Sequence, residues 1–221
     1  MVEPQHQSKA RLLDATLNVV RAKGYAATRI EDVCAAAGVT KGSFFHHFKS
    51  KQELALAAAA HWQARTSELF AAAPYHKPAD PLDRLIAYIE FRKSMLTGEL
   101  PEFTCFSGTI VQEAYQTHPE ISAACERNIA AHAETLEADI RAAMRQHRVR
   151  GDWTPLSLAL HIQAVIQGGF ILAKAKGSAG IAAQTLDHLR RYIELLFRGT
   201  HKRPARQPGA TTGVRWARQG N

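Results

Sequence analysis

The sequence predicts an all-α protein. Apolar residues recur at the spacing of a single helix face over most of the 221 residues. Alternation of apolar and polar residues, which would indicate strands, never persists for more than a few positions, and proline and glycine separate the helical stretches. A hydrophobic content of 46% is sufficient for a buried core and excludes a disordered chain.

The first well-marked helix after the N-terminal one is predicted to begin at residue 28. Thr28 precedes an apolar run in the manner of an N-cap, and Glu31 stands where it would complete a capping box. Gly38 follows the run and is expected to end the helix in a left-handed conformation. One face of this helix is apolar and consists of Ile30, Val33, Cys34 and Ala37.

A second short helix is predicted directly after this turn. Thr40 would cap it, Phe44 and Phe48 would pack back on the first helix, and Ser50 would cap a third helix. Small or polar residues open the second helix and let its backbone approach a partner: Lys41, Gly42 and Ser43. Two short helices around a glycine turn are the layout of a helix-turn-helix, whose second helix enters the DNA major groove.

The rest of the chain predicts further helices separated by proline and glycine. A helix over 54–73 would connect the first unit to a second one, and a loop with three prolines follows at 74–81. Thr154 would cap the penultimate helix, with Pro155 at its first position. The remaining helices are predicted over 82–98, 103–117, 121–147, 155–176 and 181–197.

Charge and cysteine content narrow the class of protein. The formal net charge is +8, and residues 1–51 hold eight Lys and Arg against four Asp and Glu, which suits a polyanionic partner. Three dispersed cysteines do not make a disulfide framework. We find no signal-peptide pattern and expect no apolar run near the ~20 residues that span a bilayer, so the expectation is a cytoplasmic protein with no membrane partner.

The N-terminal quarter resembles the TetR family of bacterial transcriptional regulators. The resemblance rests on segments 10–15 and 24–28, on Ala37-Gly38-Val39-Thr40-Lys41-Gly42-Ser43 and on His46-His47-Phe48-Lys49-Ser50-Lys51-Gln52-Glu53-Leu54. It implies a three-helix DNA-binding domain over 1–53, which includes the start of the connecting helix. It also implies a helical effector-binding and dimerisation domain over 54–198. The tail 199–221 has five basic residues and no acid, and is expected to be disordered, with or without weak attraction for DNA.

The resemblance also implies roles for single residues. Arg29, Lys41 and Ser43 match positions that reach base edges. Phe45 stands where the family often has Tyr, so it keeps a ring for a thymine methyl group and loses a phosphate hydrogen bond that His46 would replace in part. Thr28 matches a phosphate-contacting cap, and Thr40 matches a cap of the second helix. His47 and Lys51 match phosphate contacts. The alternative for His46 and His47 is an ordinary solvated helix surface.

The last two predicted helices are apolar on more than one stripe, which requires burial on two sides. The family resemblance implies a four-helix bundle across a two-fold axis, with Gly168 and Gly169 allowing close approach; the alternative is a monomer with a thick core. The apolar positions are Leu156, Leu160, Ile162, Val165, Ile166, Phe170, Ile171 and Leu172, then Leu186, Leu189, Ile193, Leu196 and Phe197.

A small-molecule site is predicted among aromatic, sulfur-bearing and polar residues of the second domain, although aromatic residues at helical spacing also form plain core. The candidates are Phe91, Met95, Cys105, Phe106, His118, Trp153, Gln167 and Phe170, with further polar groups at Gln112, His132 and Gln163. Cys105 stands at a predicted helix start, where thiols gain reactivity, so it is either a sensor or an inert buried residue. Cys34 is expected in the core.

These observations favour a sequence-specific DNA-binding regulator, a repressor released from a palindromic operator by a small-molecule or thiol-reactive effector. The effector would shift an equilibrium between two homodimer arrangements through the helix 54–73. An enzyme is not expected, because no HExxH, CxxC, P-loop or GxGxxG motif occurs, and neither a cofactor nor a metal site is expected. The alternative is an all-helical ligand- or partner-binding protein without specific DNA binding.

Overall fold

The chain folds into helices that follow one another without a strand throughout the part that the structure, a computed structural model, describes. That part is residues 4–198, with side chains from residue 7 onward. The helices are α1 (Pro4–Lys23), α2 (Ile30–Ala37), α3 (Lys41–His47), α4 (Lys51–Ala71), α5 (Pro81–Ser94), α6 (Leu100–Phe103), α7 (Phe106–Ala114), α8 (Pro119–Gln146), α9 (Pro155–Lys176) and α10 (Ala179–Arg198). The all-α prediction is confirmed, and the predicted disordered tail lies outside the described residues.

The start of α2 differs from the prediction. Arg29 occupies the N-cap position, and its backbone N–H donates to Asp32 Oδ2 at 2.7 Å. Thr28 is buried instead, and its hydroxyl donates to the carbonyl of Gly24 at 2.6 Å. The predicted Thr28–Glu31 capping box is therefore wrong, because the left-handed turn at Gly24 (φ 86°) directs Thr28 inward.

The predicted helix-capping roles of Gly38, Thr40 and Ser50 are confirmed. Gly38 ends α2 in the left-handed conformation with φ 61°. Thr40 Oγ1 accepts from the backbone N–H of Ser43 at 3.1 Å, and Ser50 Oγ accepts from that of Glu53 at 3.1 Å. These caps set the starts of α3 and α4, so the helix-turn-helix geometry follows from local sequence.

The predicted helix over 103–117 is wrong at its start. Glu102 accepts from the backbone N–H of Glu99 at 2.9 Å and opens the short helix α6, which then ends at Phe103. The chain passes through extended backbone before α7 begins, with Cys105 at the N-cap and its Sγ accepting from the N–H of Gly108 at 3.3 Å. The predicted loop 74–81 also contains a turn of 3₁₀ helix, Pro74–His76.

Three hydrophobic clusters fill the interior. The first joins α1 to α2, α3 and α4 and is centred on Leu12, Phe44 and Phe48; the second joins α1, α4, α7 and α8. The third and largest lies among α5, α8, α9 and α10. Since α1 belongs to two clusters, it connects the helix-turn-helix to the remainder of the molecule.

The expectation that no apolar run is long enough to span a bilayer is wrong for α9. Within residues 4–198 it is long and apolar enough to cross a membrane, by length and composition only, with a mean hydropathy of 1.6. Its window is 44% buried, and it packs between α8 and α10 through residues such as Leu158, Ile162 and Ile166. This packing accounts for the apolar residues on the buried side of α9.

We predict that Phe44→Ala lowers the free energy of unfolding by about 3–5 kcal/mol, because Phe44 is fully buried and its loss leaves a cavity. The matched control is the neighbouring Phe45→Ala, which should cost about 1 kcal/mol or less, since Phe45 is 50% exposed and loses an edge-on ring contact. Urea unfolding followed by circular dichroism measures both. Equal losses of unfolding free energy would contradict the assignment of Phe44 to the core and Phe45 to the surface.

Candidate nucleic-acid interface and ligand cavity

α3 presents one face to solvent because its opposite face is anchored. Phe44 and Phe48 are buried against α1 and α2. Lys41, Phe45 and His46 are exposed on the other side. The structure therefore brings together, on one short helix, a cation, an aromatic ring and an imidazole that the sequence analysis assigned to DNA.

The exposed cation of α3 has a carboxylate partner in the free protein. Lys41 Nζ lies 2.6 Å from Glu31 Oε1, although both side chains are more than half exposed. The hydrogen bond lowers the pKa of Glu31 and raises the pKa of Lys41, so both groups stay charged. Since the pair is exposed and therefore weak, a phosphate or a base edge can compete for Lys41.

The other predicted contact positions flank this helix. Arg29 is exposed at the N-cap of α2, Ser43 is half-buried, and Thr40 is exposed with its hydroxyl used in capping. His47 is half-buried, and its Nε2 lies 2.7 Å from Ser8 Oγ on α1. The second helix of the motif is thus joined to the N-terminal helix by a polar contact as well as by the phenyl rings.

Two predicted phosphate contacts are corrected by their surroundings. Thr28 is 3% exposed, so its side chain cannot reach a phosphate. Lys51 Nζ donates to the carbonyls of Tyr25 and Thr28, each at 3.0 Å, and to that of Ala26 at 3.4 Å. Partial burial lowers the pKa of Lys51, and its ammonium lies 4.4 Å from the centre of the Tyr25 ring. Lys51 is therefore a structural link that holds the chain between α1 and α2.

A cavity of about 390 Å³ lies where α1 and α4 meet the C-terminal helices. Of the eight predicted pocket residues, four line it: Met95, Cys105, Gln167 and Phe170. His132 and Gln163 also line it, whereas Gln112 lies in a neighbouring depression of about 350 Å³. Among the described residues, no group of three His, Cys, Asp or Glu side chains is placed to hold a metal ion.

The other four predicted pocket residues do not line the cavity. Phe106 is fully buried beside Trp62, and Phe91 packs on the rings of Phe70 and Tyr75. His118 stacks edge-on against Tyr25, with ring centres 5.2 Å apart, and Trp153 packs on Phe197. Aromatic character alone did not separate pocket from core, because helical spacing is the same for both.

The sequence analysis missed the contribution of α1 to the cavity. Arg21 is 7% exposed, lines the cavity and lies over the ring of Trp62. Its guanidinium donates to the carbonyls of Glu102 and Thr104 and to the side-chain oxygen of Asn18. Burial is the main cause that lowers the pKa of Arg21 to about 10, so it remains a cation at neutral pH. The signal available in the sequence was a basic residue among the apolar positions Leu17 and Val20.

Cys105 is the one partly exposed cysteine among the described residues. It lines both the cavity and the neighbouring depression, and the latter also contains Lys174. Lys174 Nζ donates to the carbonyl of Arg21 at 2.8 Å, which ties α9 to the end of α1. Cys34 and Cys125 are buried, and burial raises the pKa of both thiols, that of Cys125 to about 11. The prediction that Cys34 is core is confirmed.

α9 and α10 leave an apolar face uncovered in the single chain. Its large exposed residues are Leu156, Leu160, Ile171, Leu172, Tyr192 and Leu195. A side chain added at Gly168 would meet nothing within 4 Å, whereas one at Gly169 would touch Thr185 and Ala182 of α10. Gly169 therefore serves packing within the chain, and Gly168 belongs to the open face.

Comparison with known proteins identifies the family. The family model described as bacterial regulatory proteins, tetR family, matches residues 12–58, and the one described as tetracyclin repressor-like, C-terminal domain, matches residues 81–192. The second match alone covers just over half of the chain, 112 of 221 residues.

The chain belongs to the TetR family. The helix-turn-helix transcriptional regulator CymR of Pseudomonas putida is 51% identical over 51 residues, which is 23% of this chain and 25% of that protein. A TetR-family regulator from Agrobacterium tumefaciens has a TM-score of 0.76 at 18% identity, over 85% of this chain and 98% of that one. A TetR regulator from Chloroflexus aurantiacus has a TM-score of 0.75 at 26% identity, over 86% and 96%.

We predict that Lys51→Met lowers the free energy of unfolding of this TetR-family protein by about 1–3 kcal/mol, because a charged donor to partly buried carbonyls is lost. The control is Lys49→Met, an exposed lysine nearby, which should be close to neutral. Salt titrations of DNA binding should give the same slope for Lys51→Met and the wild type. A slope reduced by about 0.9, one phosphate contact, would contradict the structural role.

Proposed function

We propose that this TetR-family protein is a homodimeric repressor that binds a palindromic operator in the cytoplasm and leaves it when a small molecule occupies the cavity. The observation that carries the proposal is the exposed face of α3, with Lys41, Phe45 and His46 held outward by two buried phenyl rings. A rigidly anchored helix with a polar, basic tip is suited to the major groove.

The contacts with DNA follow from exposure and chemistry. Lys41 and Arg29 carry the donors that suit guanine acceptors, and Ser43 can bond either kind of base edge. Phe45, half exposed, offers its ring to a thymine methyl group. His46 and His47 lie toward the end of α3 and would contact phosphates, which hold the helix in register. Thr40 contributes through its cap, which sets where α3 begins.

Operator symmetry requires two helix-turn-helix units in fixed relation. Readers of palindromes place their two recognition helices about one DNA turn apart, ~34 Å, or a multiple of it. The uncovered apolar face of α9 and α10 supports a dimer, because six large apolar side chains are exposed on these two helices and exposed apolar surface marks interaction sites. Gly168 would let the two copies of α9 approach closely.

Release from DNA is proposed to pass through α1. This helix supplies Leu17, Asn18 and Arg21 to the cavity and also packs against α2 and α3. A ligand that changes the hydrogen bonds of Arg21 to Glu102 and Thr104 would shift α1, and with it the spacing of the two recognition helices. α4, which lines the cavity and begins beside α3, would move with it. The ligand must bind the two arrangements with different affinity, or it shifts nothing.

Cys105 offers a second route to the same outcome. It lines the cavity and is partly exposed, so a thiol-reactive molecule can reach it. Its modification would occupy the same space as a bound ligand and would disturb the N-terminal cap of α7. Cys105→Ser separates the routes: a reversible ligand should still release the operator from the variant, and an electrophile should not.

We predict that Arg29→Ala and Lys41→Ala each weaken binding to an operator selected from random duplexes by about 10-fold to 100-fold, because each removes a base contact of ~1–3 kcal/mol. Lys49→Ala is the control with similar exposure and charge change. Gel shifts against the selected site and a scrambled duplex give the specificity ratio. An unchanged ratio would instead favour the alternative, a helical ligand- or partner-binding protein without specific DNA binding.

We predict that Leu195→Asp converts the dimer to monomers, because Leu195 is 69% exposed on α10 and a charge there cannot be buried against a second copy. The control is Tyr115→Asp, since Tyr115 is 61% exposed on a different surface, after α7. Light scattering during gel filtration measures the mass of each. A wild-type monomer, or a dimeric Leu195→Asp variant, would contradict the proposed interface.

A further inference from the structure

The cavity wall contains a cation that no carboxylate neutralises. Arg92 is half-buried, and its guanidinium lies 5.2 Å from the ring centre of Phe70 and 5.7 Å from that of Phe170. Among the described residues it has no hydrogen bond or ion pair, so its donors are free. A guanidinium packed near two rings is restrained by them, and its fork of N–H groups stays available to a planar anion.

The acidic side chains of the same wall are already engaged. Asp14 bonds His61 at 2.8 Å and Arg65 at 2.5 Å, and the carboxylate of Glu102 accepts from the backbone of Glu99. The second buried cation of the wall, Arg21, donates to neutral oxygens. Positive charge is therefore in excess in a partly enclosed space, where an anion gains more from it than in water.

The rest of the cavity lining is apolar and suits a compact apolar group of a ligand. Trp62, Met95, Phe103 and Phe170 provide aromatic and thioether surface. The cavity measures about 390 Å³. An apolar cavity of ~150 Å³ holds one benzene molecule, so this space suits about two fused rings.

We infer that the cavity binds a compact aromatic carboxylate, with its carboxylate on the Arg92 guanidinium and its rings against Trp62 and Phe103. The assignment of ligand class stands on the cavity itself, and its regulatory meaning rests on the proposed function. It predicts discrimination by charge, because a neutral analogue of the same shape leaves Arg92 without an anion.

The test is a calorimetric titration of the full chain with 2-naphthoate and with its neutral analogue 2-naphthamide. We expect at least a 10-fold preference for naphthoate in the wild type. Arg92→Gln should abolish that preference and leave the weak naphthamide binding unchanged, Arg92→Lys should keep part of it, and Arg127→Gln is the matched control on an exposed face of α8. Thermal melting of each variant confirms that it is folded.

Three results would overturn the inference: no binding of naphthoate, equal binding of the two probes, or a loss in Arg92→Gln that affects both probes equally.

Gel shifts with the selected operator keep this inference separate from the proposed function. Naphthoate binding without any effect on operator affinity supports the anion site and contradicts release through the cavity. A protein that binds naphthoate and has no specific operator likewise supports the site and contradicts the DNA-binding proposal. Operator binding without naphthoate binding supports the DNA-binding proposal and contradicts the anion site.

Discussion

The structure depends on α1 being buried on two sides at once. Leu12 packs in the cluster of the helix-turn-helix, and Leu17 and Val20 pack in the next cluster against α4, α7 and α8. A helix so placed cannot shift for one neighbour without changing its packing against the other, because protein interiors are close-packed. Arg21 extends this constraint to the cavity, since its hydrogen bonds to the backbone around α6 fix the end of α1.

Local signals in the sequence predicted the helix-turn-helix well, and non-local contacts account for the errors. Gly38, Thr40 and Ser50 act within three residues of their own positions, so the pattern was sufficient. Thr28 and Lys51 were assigned to phosphates, yet their partners are set by the turn at Gly24 and by a chain segment more than twenty positions away. No periodicity reports on such contacts.

Half of the predicted pocket residues line the candidate cavity, because non-local packing decides which residues of suitable chemistry face it. Met95, Cys105, Gln167 and Phe170 have the right chemistry, but Phe106 and Trp153 share it and do not line the cavity. What distinguishes the wall is a set of charged residues from helices far apart in sequence, Arg21 from α1 and Arg92 from α5 among them. Their convergence is a property of the tertiary packing, so a single sequence does not reveal it.

The ion pair between Lys41 and Glu31 has a consequence for how the protein would search a genome. If Lys41 contacts DNA as proposed, Glu31 would compete with every phosphate for the same ammonium, so random encounters with duplex would gain less than the positive charge of the protein suggests. A correct site, which would add base-edge bonds, would outcompete the carboxylate more readily. The carboxylate would thus shorten residence on wrong sequences and leave more molecules free to scan, a selectivity obtained from a residue that need never touch a base.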